Sequence, residues 1–187
     1  MAQDNSFTGH FLIAMPNLAD PNFFHTVTYL CEYSPAGAMG LVINRPLDLS
    51  LGELAEQLDI EVTEPPMANV PIYQGGPVQT DRGFVLHTPQ GEWDNTLSIT
   101  PDIALTVSQD ILESIAQGVG PEHFLITLGY AGWGEGQLEE ELAANAWLNG
   151  PADTRIIFST PVESRWPAAA AHLGIDLGQL SSDIGHA

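Results

Sequence analysis

The sequence predicts an α+β fold, in which strands and helices are mixed without regular alternation. Several short apolar runs are bounded by glycine or proline, which is typical of strands. A smaller number of segments have helical periodicity together with capping signals. These segments do not follow the strict βαβ order of a doubly wound sheet. The chain has 187 residues, of which 44% are hydrophobic, and we expect one domain over residues 1–187.

The predicted strands begin with residues 11–15, a short apolar run that ends at Pro16. Residues 27–32 and 41–44 are rich in β-formers, and the Ser-Pro-Ala-Gly run at 34–37 has the composition of a turn. This pattern predicts a hairpin. The other strand candidates are residues 70–73, 83–87, 97–99, 124–130 and 155–158.

The first predicted helix follows Ser50. Ser50 and Glu53 have the spacing of a capping box. Apolar residues then recur on one helical face, at Leu51, Leu54, Ala55 and Leu58. Residues 61–71 contain three prolines and are expected to form a surface loop.

Three further helices are predicted, which makes about four in all. One begins at Thr100-Pro101, with an N-cap before an N1 proline, and ends at Gly118. Its apolar residues are spaced by four, at Ile103, Val107, Ile111 and Ile115. Another begins near Gly134 and buries Leu138, Leu142 and Ala146. The last has a second capping box at Thr160 and Glu163 and ends before Gly174.

The charge balance excludes several classes of function. There are 24 acidic residues and four arginines, with no lysine, so the formal net charge is -20. Nucleic acids and polybasic membrane anchors both require clustered cations, so we predict neither direct nucleic-acid binding nor membrane binding. Cationic or neutral partners suit this charge better.

Cys31 is the only cysteine, so the sequence has no disulfide framework. No apolar run is long enough for a signal peptide or a membrane span, and a cytoplasmic location is expected. The neighbouring Glu32 opposes thiolate formation, which favours an inert cysteine. The alternative is a nucleophilic thiol served by a base such as His25 or His87.

Two glycine sites have two interpretations each. Residues 129–136 carry four glycines between a strand and a helix, which indicates either a tight turn packed on Trp133 or a ligand loop without phosphate specificity. Gly75 and Gly76, followed by Pro77, either permit an unusual backbone path or let a ligand reach bare backbone.

Asn44, Arg45 and His87 complete the polar candidates. Arg45 precedes Pro46 at a predicted strand end, where it would bind a carboxylate or phosphate or form an ion pair with one of the many acids. The six histidines lack metal-ligand spacing, so no metal is predicted, and the alternative is a site assembled from distant histidine and aspartate residues. No cofactor is predicted. His87 at the end of a predicted strand is the histidine of most interest.

One long signature and several shorter ones resemble the YqgE/AlgH family of uncharacterised bacterial proteins. The long signature comprises Met15-Pro16, residues 20–23, residues 29–32 and the run Gly-Ala-Met-Gly-Leu-Val-Ile-Asn-Arg-Pro at 37–46. The shorter ones are residues 75–77, 82–88, 129–131 with Trp133, 136–139, 145–148 and the ending Gly-His-Ala at 185–187. The sequence departs from the resemblance at His25, where many members have arginine or lysine.

The resemblance implies a bifurcated, mixed or antiparallel sheet that is bent into a pseudo-barrel and flanked by helices. It implies no established activity. One branch of the family has a name connected with alginate production and has been called a transcriptional regulator. The charge of this chain argues against direct DNA binding, so such a role would be indirect.

The sequence therefore favours a cytoplasmic, non-catalytic module that binds a small molecule or a protein partner. Its predicted binding residues are Asn44, Arg45, Gly75, Gly76, His87, Trp133 and Asn145. Arg45 would hold an anionic group, the glycines would offer backbone N–H groups, and Trp133 would offer an apolar face. The alternatives are an enzyme that uses Cys31 or His87, and a regulator that acts through protein contacts.

Overall fold

The computed structural model describes residues 7–180 and contains a ten-stranded curled sheet, five α-helices and two 3₁₀ turns. The strands are β1 (His10–Ala14), β2 (Val27–Ser34), β3 (Gly37–Val42), β4 (Pro46–Ser50), β5 (Pro71–Gln74), β6 (Val78–His87), β7 (Thr96–Thr100), β8 (Ile103–Thr106), β9 (Phe124–Trp133) and β10 (Trp147–Pro151). The helices are α1 (Leu51–Gln57), α2 (Asp110–Ala116), α3 (Gln137–Ala143), α4 (Thr154–Phe158) and α5 (Arg165–His172), and the 3₁₀ turns are Pro65–Asn69 and Val162–Ser164.

The sheet branches at β9. One edge of β9 pairs with β6. On the other edge, the first half of β9 pairs in parallel with β5 and the second half pairs antiparallel with β3. The main path runs β10-β1-β2-β3-β9-β6-β8-β7, and β4 and β5 form the branch. The predicted bifurcated α+β pseudo-barrel is therefore confirmed.

Each face of the curled sheet is covered differently. The inner face carries the main core, where side chains such as Phe11, Tyr29 and Leu86 pack with residues of α4 and α5. On the outer face, α1 and α2 cover the branch through residues that include Leu54, Ile72, Val85, Ile115 and Ile126. Helix α3 covers another part of that face through Leu138, beside Trp133 and Trp147. In residues 7–180, no helix has the length and apolar character needed to cross a membrane.

The hairpin and the first helix form as predicted. Strands β2 and β3 pair antiparallel around the short turn. At α1, the Ser50 hydroxyl accepts from the Glu53 N–H, and a Glu53 carboxylate oxygen accepts from the Ser50 N–H at 3.0 Å. This capping box satisfies two backbone donors that a helix start would otherwise leave exposed.

The prediction of a helix from Thr100 to Gly118 is wrong in its first half. Residues Ile103–Thr106 form β8, all four of them buried, and α2 begins only at Asp110. The Thr100 hydroxyl does accept from the Ile103 N–H at 3.2 Å, but it closes the turn between β7 and β8. A threonine hydroxyl can accept from a backbone N–H in a turn as well as at a helix N-terminus. The capping role predicted for Thr100 is therefore present, but it closes a turn and does not begin a helix.

The predicted strand at 155–158 is also wrong, because these residues form α4. The Asp153 side chain caps this helix by accepting from the Arg155 N–H at 2.9 Å. The predicted capping box at Thr160 does not form either, since its hydroxyl donates to the Arg155 carbonyl at 3.1 Å. Helix α5 begins at Arg165, after a 3₁₀ turn. Strands β4 and β10 were not predicted from the sequence. The Gly-His-Ala motif at residues 185–187 lies outside the described residues.

Candidate functional site

A groove of about 990 Å³ opens on the inner side of the curled sheet, and we call it the Arg82 groove. Its apolar wall includes Met39, Phe84, Leu105 and Tyr130, which continue the main core to the surface. Its polar residues are Glu32, Gln79, Arg82, Asp94, Asn95 and Thr96. An apolar cleft of this size with a few polar groups is the usual form of a small-molecule site.

Arg82 lies where β6 leaves its regular pairing. The register of β6 against β9 shifts between Val78 and Gly83, and Gln79 has a positive φ of 48°. The guanidinium of Arg82 lies 5.6 Å from the centre of the Phe84 ring, within range of a cation–π contact. Its hydrogen bond to Gln79 Oε1 is long, at 3.4 Å. No carboxylate among residues 7–180 lies within 4.0 Å of Arg82.

The other three arginines have closer partners. Arg45 donates to the carbonyls of Pro21 at 2.6 Å and Phe24 at 3.0 Å. These bonds hold the loop between β1 and β2, and no ion pair of Arg45 is found within residues 7–180. Burial lowers the pKa of Arg45, although Asp20 nearby opposes this.

Arg155 and Arg165 differ from each other in burial. The exposed Arg155 forms an ion pair with Asp153 at 3.0 Å. The buried Arg165 donates to the carbonyls of Thr160 at 2.9 Å and Ile43 at 2.5 Å. Within residues 7–180, Arg82 is therefore the arginine whose guanidinium has neither a carboxylate nor a backbone carbonyl partner, and its one hydrogen bond is the long contact with the Gln79 side chain.

Gly75 and Gly76 lie where three chain segments cross. The Gly75 carbonyl accepts from the Val42 N–H at 2.8 Å, and the Gly75 N–H donates to Leu128 at 2.8 Å. A Cβ at Gly76 would collide with the backbone of Tyr130 and Ala131. The pair therefore allows close backbone approach between strands, the first of its two interpretations, and protein backbone occupies the space that a ligand would need.

His87 is buried at the far end of β6, with 1% of its surface exposed. Its Nδ1 lies 2.6 Å from the Thr88 carbonyl, which can only accept, so Nδ1 carries the proton. Nε2 then accepts from the Thr106 hydroxyl at 2.7 Å, and Thr106 in turn contacts the Thr96 hydroxyl at 2.8 Å. Burial lowers the pKa of His87 and keeps its ring neutral.

Trp133 and Asn44 have hydrogen-bond partners within the fold, whereas Asn145 lies at the surface. The Trp133 Nε1–H donates to Glu141 at 2.9 Å, and Trp133 is among the residues that line the Arg82 groove. Asn44 accepts from the Val27 N–H and donates to the His25 carbonyl. Asn145 is exposed after α3 and has a positive φ of 62°. The predicted glycine-rich loop is mostly strand, because β9 continues to Trp133.

The family model described as AlgH-like matches residues 11–178. The chain therefore belongs to the AlgH-like family. It is 54% identical over 187 residues to a UPF0301 protein of Thioalkalivibrio sulfidiphilus, with 100% of both chains covered. It is 56% identical over 182 residues to a UPF0301 protein of Azoarcus, with 97% of each covered.

Solved structures show the same fold. The solution structure of the AlgH protein of Pseudomonas aeruginosa is 52% identical, with a TM-score of 0.81 over 97% of this chain and 96% of that one. A crystal structure of a Corynebacterium diphtheriae protein has a TM-score of 0.75 at 21% identity, covering 97% of this chain and 94% of that one. At this lower identity, the likeness extends to the fold alone.

The seven predicted binding residues do not form one site in this AlgH-like protein. His87 pairs with Phe124, whereas Trp133 ends the same ten-residue strand β9. The two residues are therefore separated by about 30 Å along the strand. Of the seven, only Trp133 lines the Arg82 groove.

The sequence analysis missed the residues that give the groove its character, namely Arg82, Phe84 and Tyr130. A signal for Arg82 was present, because residues 79–82 form a polar run inside a segment that resembles a strand. In contrast, the closeness of Met39 and Leu105 depends on the curl of the sheet, which one sequence does not reveal.

Cys31 belongs to the main core and is 1% exposed. Burial raises the pKa of its thiol well above the ordinary range, and the negative charge of Glu32 adds to this effect. In residues 7–180, histidine, cysteine and acidic side chains form no group of three or more that could hold a metal ion.

Proposed function

We propose that this AlgH-like protein is a non-catalytic binding module and that its Arg82 groove holds a small amphipathic molecule with one acidic group. The observation that carries the proposal is the position of Arg82. Its guanidinium stands in a cleft of about 990 Å³ with no carboxylate or backbone carbonyl partner in residues 7–180, and it makes only the long hydrogen bond to the Gln79 side chain. An arginine that is not already paired can bind a carboxylate or a phosphate through two parallel hydrogen bonds.

The apolar wall of the groove supports the proposal that the ligand is amphipathic and has an apolar body. Phe84 and Tyr130 meet edge to face, with ring centres 5.7 Å apart. Phe84 is buried, while Tyr130 and Met39 are only partly covered. These surfaces would gain burial from an apolar body of the ligand, at about 25 cal/mol for each Å² removed from water.

The acids beside Arg82 limit the charge of the ligand. Glu32 and Asp94 line the same groove, and the whole chain carries a formal charge of -20. A ligand with several negative charges would be repelled as it approached. A single acidic group on an apolar body, with or without an amine near the two carboxylates, suits this arrangement better than a polyphosphate.

The proposal that the protein is not an enzyme is supported by the burial of the two side chains that were considered as catalytic groups. Cys31 and His87 are each 1% exposed, and neither lines the Arg82 groove. We also propose a cytoplasmic location, since a single cysteine is compatible with a reducing compartment.

A thermal-shift screen tests the proposal. The panel contains aromatic and aliphatic monocarboxylates and monophosphates, each beside a neutral analogue. A ligand at about 100 times its Kd stabilises the folded protein by roughly 2.7 kcal/mol, which corresponds to several degrees for a chain of this size. We expect acidic compounds to raise Tm and the rise to be lost in Arg82→Ala.

The matched control is Arg155→Ala, which removes the same charge from an exposed site outside the groove. It should retain the shift. A panel that leaves Tm unchanged, or a shift that survives Arg82→Ala, contradicts the proposal.

A further inference from the structure

A second groove of about 530 Å³ lies beside the Arg82 groove, and we call it the edge groove. One wall is β7, through Leu97, Ser98 and Ile99. The opposite wall is the end of β2 with the turn that follows it, and Thr8 also lines the groove. The edge groove thus separates two strands of the same curled sheet that do not pair with each other.

The outer edge of β7 has backbone groups directed away from the sheet. The Val107 N–H donates to the Asn95 carbonyl at 3.0 Å, and Leu97 lies opposite Leu105 in the same register. Bonded and non-bonded pairs alternate along an antiparallel ladder, so Asn95 and Leu97 bond to β8. Thr96 and Ser98 therefore direct their N–H and C=O groups outward, where the described residues provide no strand partner.

The facing wall is open in the same way. Strand β1 pairs with β2 only as far as Tyr29. Beyond this point, the Gly9 N–H donates a hydrogen bond to the Leu30 carbonyl. After a register shift at Cys31, the residues Glu32 to Ser34 pair with β3 on one side, and this end of β2 has no strand partner among residues 7–180 on the other. An extended chain that entered the groove could therefore bond to a strand edge on either side.

The charges around the edge groove select the occupant. Among the described residues that line it, Glu32 is the one with a charged side chain. Asp94 precedes β7 in the sequence and Asp102 follows it. A second copy of this chain would bring another formal charge of -20 to this surface, so pairing between copies is opposed. A cationic segment is attracted instead.

We propose that the edge groove binds an extended basic peptide segment of a partner protein by adding it as a strand to β7. Leu97, with 43% of its surface exposed, would pack against an apolar side chain of that segment. Glu32 and the acids that flank β7 would pair with its lysines or arginines. This site goes beyond the proposed small-molecule groove and does not depend on it.

The probe is a capped peptide of about eight residues in which lysine and valine alternate, a length typical of a strand. Amide resonances of the full chain are followed by NMR during titration. We expect shifts at Thr96, Ser98 and Cys31–Ser34, with slower hydrogen exchange at the Thr96 and Ser98 amides. Raising the salt concentration should weaken the binding.

Two matched peptides separate strand addition from simple charge attraction. Replacing lysine by glutamate should weaken binding by at least about tenfold, because complementary charge is lost. Methylating alternate backbone nitrogens keeps every side chain but removes donors, and it should also weaken binding by about tenfold.

Protein variants test the same edge. Ser98→Pro removes an outward N–H at an edge position, where proline is tolerated, and it should abolish binding. Ser98→Ala keeps that N–H and should bind like the parent protein. If Ser98→Pro does not fold, the methylated peptide still tests whether binding depends on backbone hydrogen bonds.

Equal binding of the glutamate peptide, undiminished binding of the methylated peptide, or shifts confined to other surfaces overturn the proposal. Association of the chain with itself through β7, without peptide binding, also overturns it.

Discussion

The guanidinium of Arg165 donates a hydrogen bond to the backbone carbonyl of Ile43 at 2.5 Å, joining residues 122 positions apart in the sequence. Arg165 is 6% exposed, also donates to Thr160, and stands 5.2 Å from the centre of the Tyr73 ring. It connects the start of α5 to the end of β3. This buried cation is satisfied by carbonyls, even though the chain has 24 acids.

Replacing Arg165 by methionine should destabilise the fold. The apolar stem is largely retained, but two partly or fully buried carbonyls lose a charged donor, which costs about 2–4 kcal/mol. The free energy of unfolding is measured in urea. Arg155→Met is the control, and its midpoint should stay at the parent value because that ion pair is exposed. An Arg165→Met variant as stable as the parent protein would show that these hydrogen bonds of Arg165 do not stabilise the fold.

Gly76→Ala tests whether the glycine pair serves the fold. A Cβ at this position would meet the backbone of β9, which cannot move away as a flexible side chain could. We expect a loss of about 3 kcal/mol or failure to fold. The control is Gly83→Ala in β6, because a Cβ there has no atom within 4 Å. If Gly76→Ala keeps the parent stability, the proposed backbone crossing is wrong.

His87 should make stability fall in mild acid. Burial holds its pKa below the ordinary value of 6.5, so the unfolded chain takes up a proton at a higher pH than the folded chain. Its contribution to stability is complete above about pH 6.5 and is lost as the pH falls toward the folded pKa, with a slope of at most about 1.4 kcal/mol per pH unit.

Urea unfolding between pH 7 and 5.5 measures this slope. His87→Gln should flatten it, because the amide can replace both hydrogen bonds but does not titrate. His25 also has a lowered pKa, so His25→Gln is measured alongside to separate the two contributions. A slope that does not change in His87→Gln would contradict the neutral, buried imidazole.

Cys31 should react slowly with alkylating reagents in the native protein. Its thiol is buried, and both burial and Glu32 raise its pKa, so little reactive thiolate is present. We expect native labelling by iodoacetamide to be at least about a hundredfold slower than labelling in urea, as measured by mass spectrometry. Similar rates in the two conditions would instead support the alternative of a reactive thiol.

Features that depend on neighbouring residues were predicted well from the sequence. The β2–β3 hairpin and the Ser50 capping box each lie within a short segment, so local chemistry determines them. The Thr100 signal was misread because β8 is stabilised by pairing with β6, far away in the sequence. A helical spacing of apolar residues cannot compete with burial between two strands.

The candidate site was predicted less well, for a related reason. Arg45 looked like an anion ligand because it follows a strand, but the β1–β2 loop folds back and its carbonyls take the guanidinium. Arg82 was not predicted as a binding residue. Its place in a groove depends on β7 and β3 facing each other across the curled sheet. Such long-range geometry is absent from local patterns.

The central claim is that Arg82 binds an acidic group, and one calorimetric comparison tests it most directly. The Kd of the best acid from the thermal-shift panel and the Kd of its neutral amide are measured with the parent protein and with Arg82→Ala. A charge-assisted hydrogen bond contributes about 1.5–3 kcal/mol, so the parent should prefer the acid by roughly tenfold or more. We predict that this preference disappears in Arg82→Ala and persists in Arg155→Ala. An acid preference that Arg82→Ala retains would contradict the account.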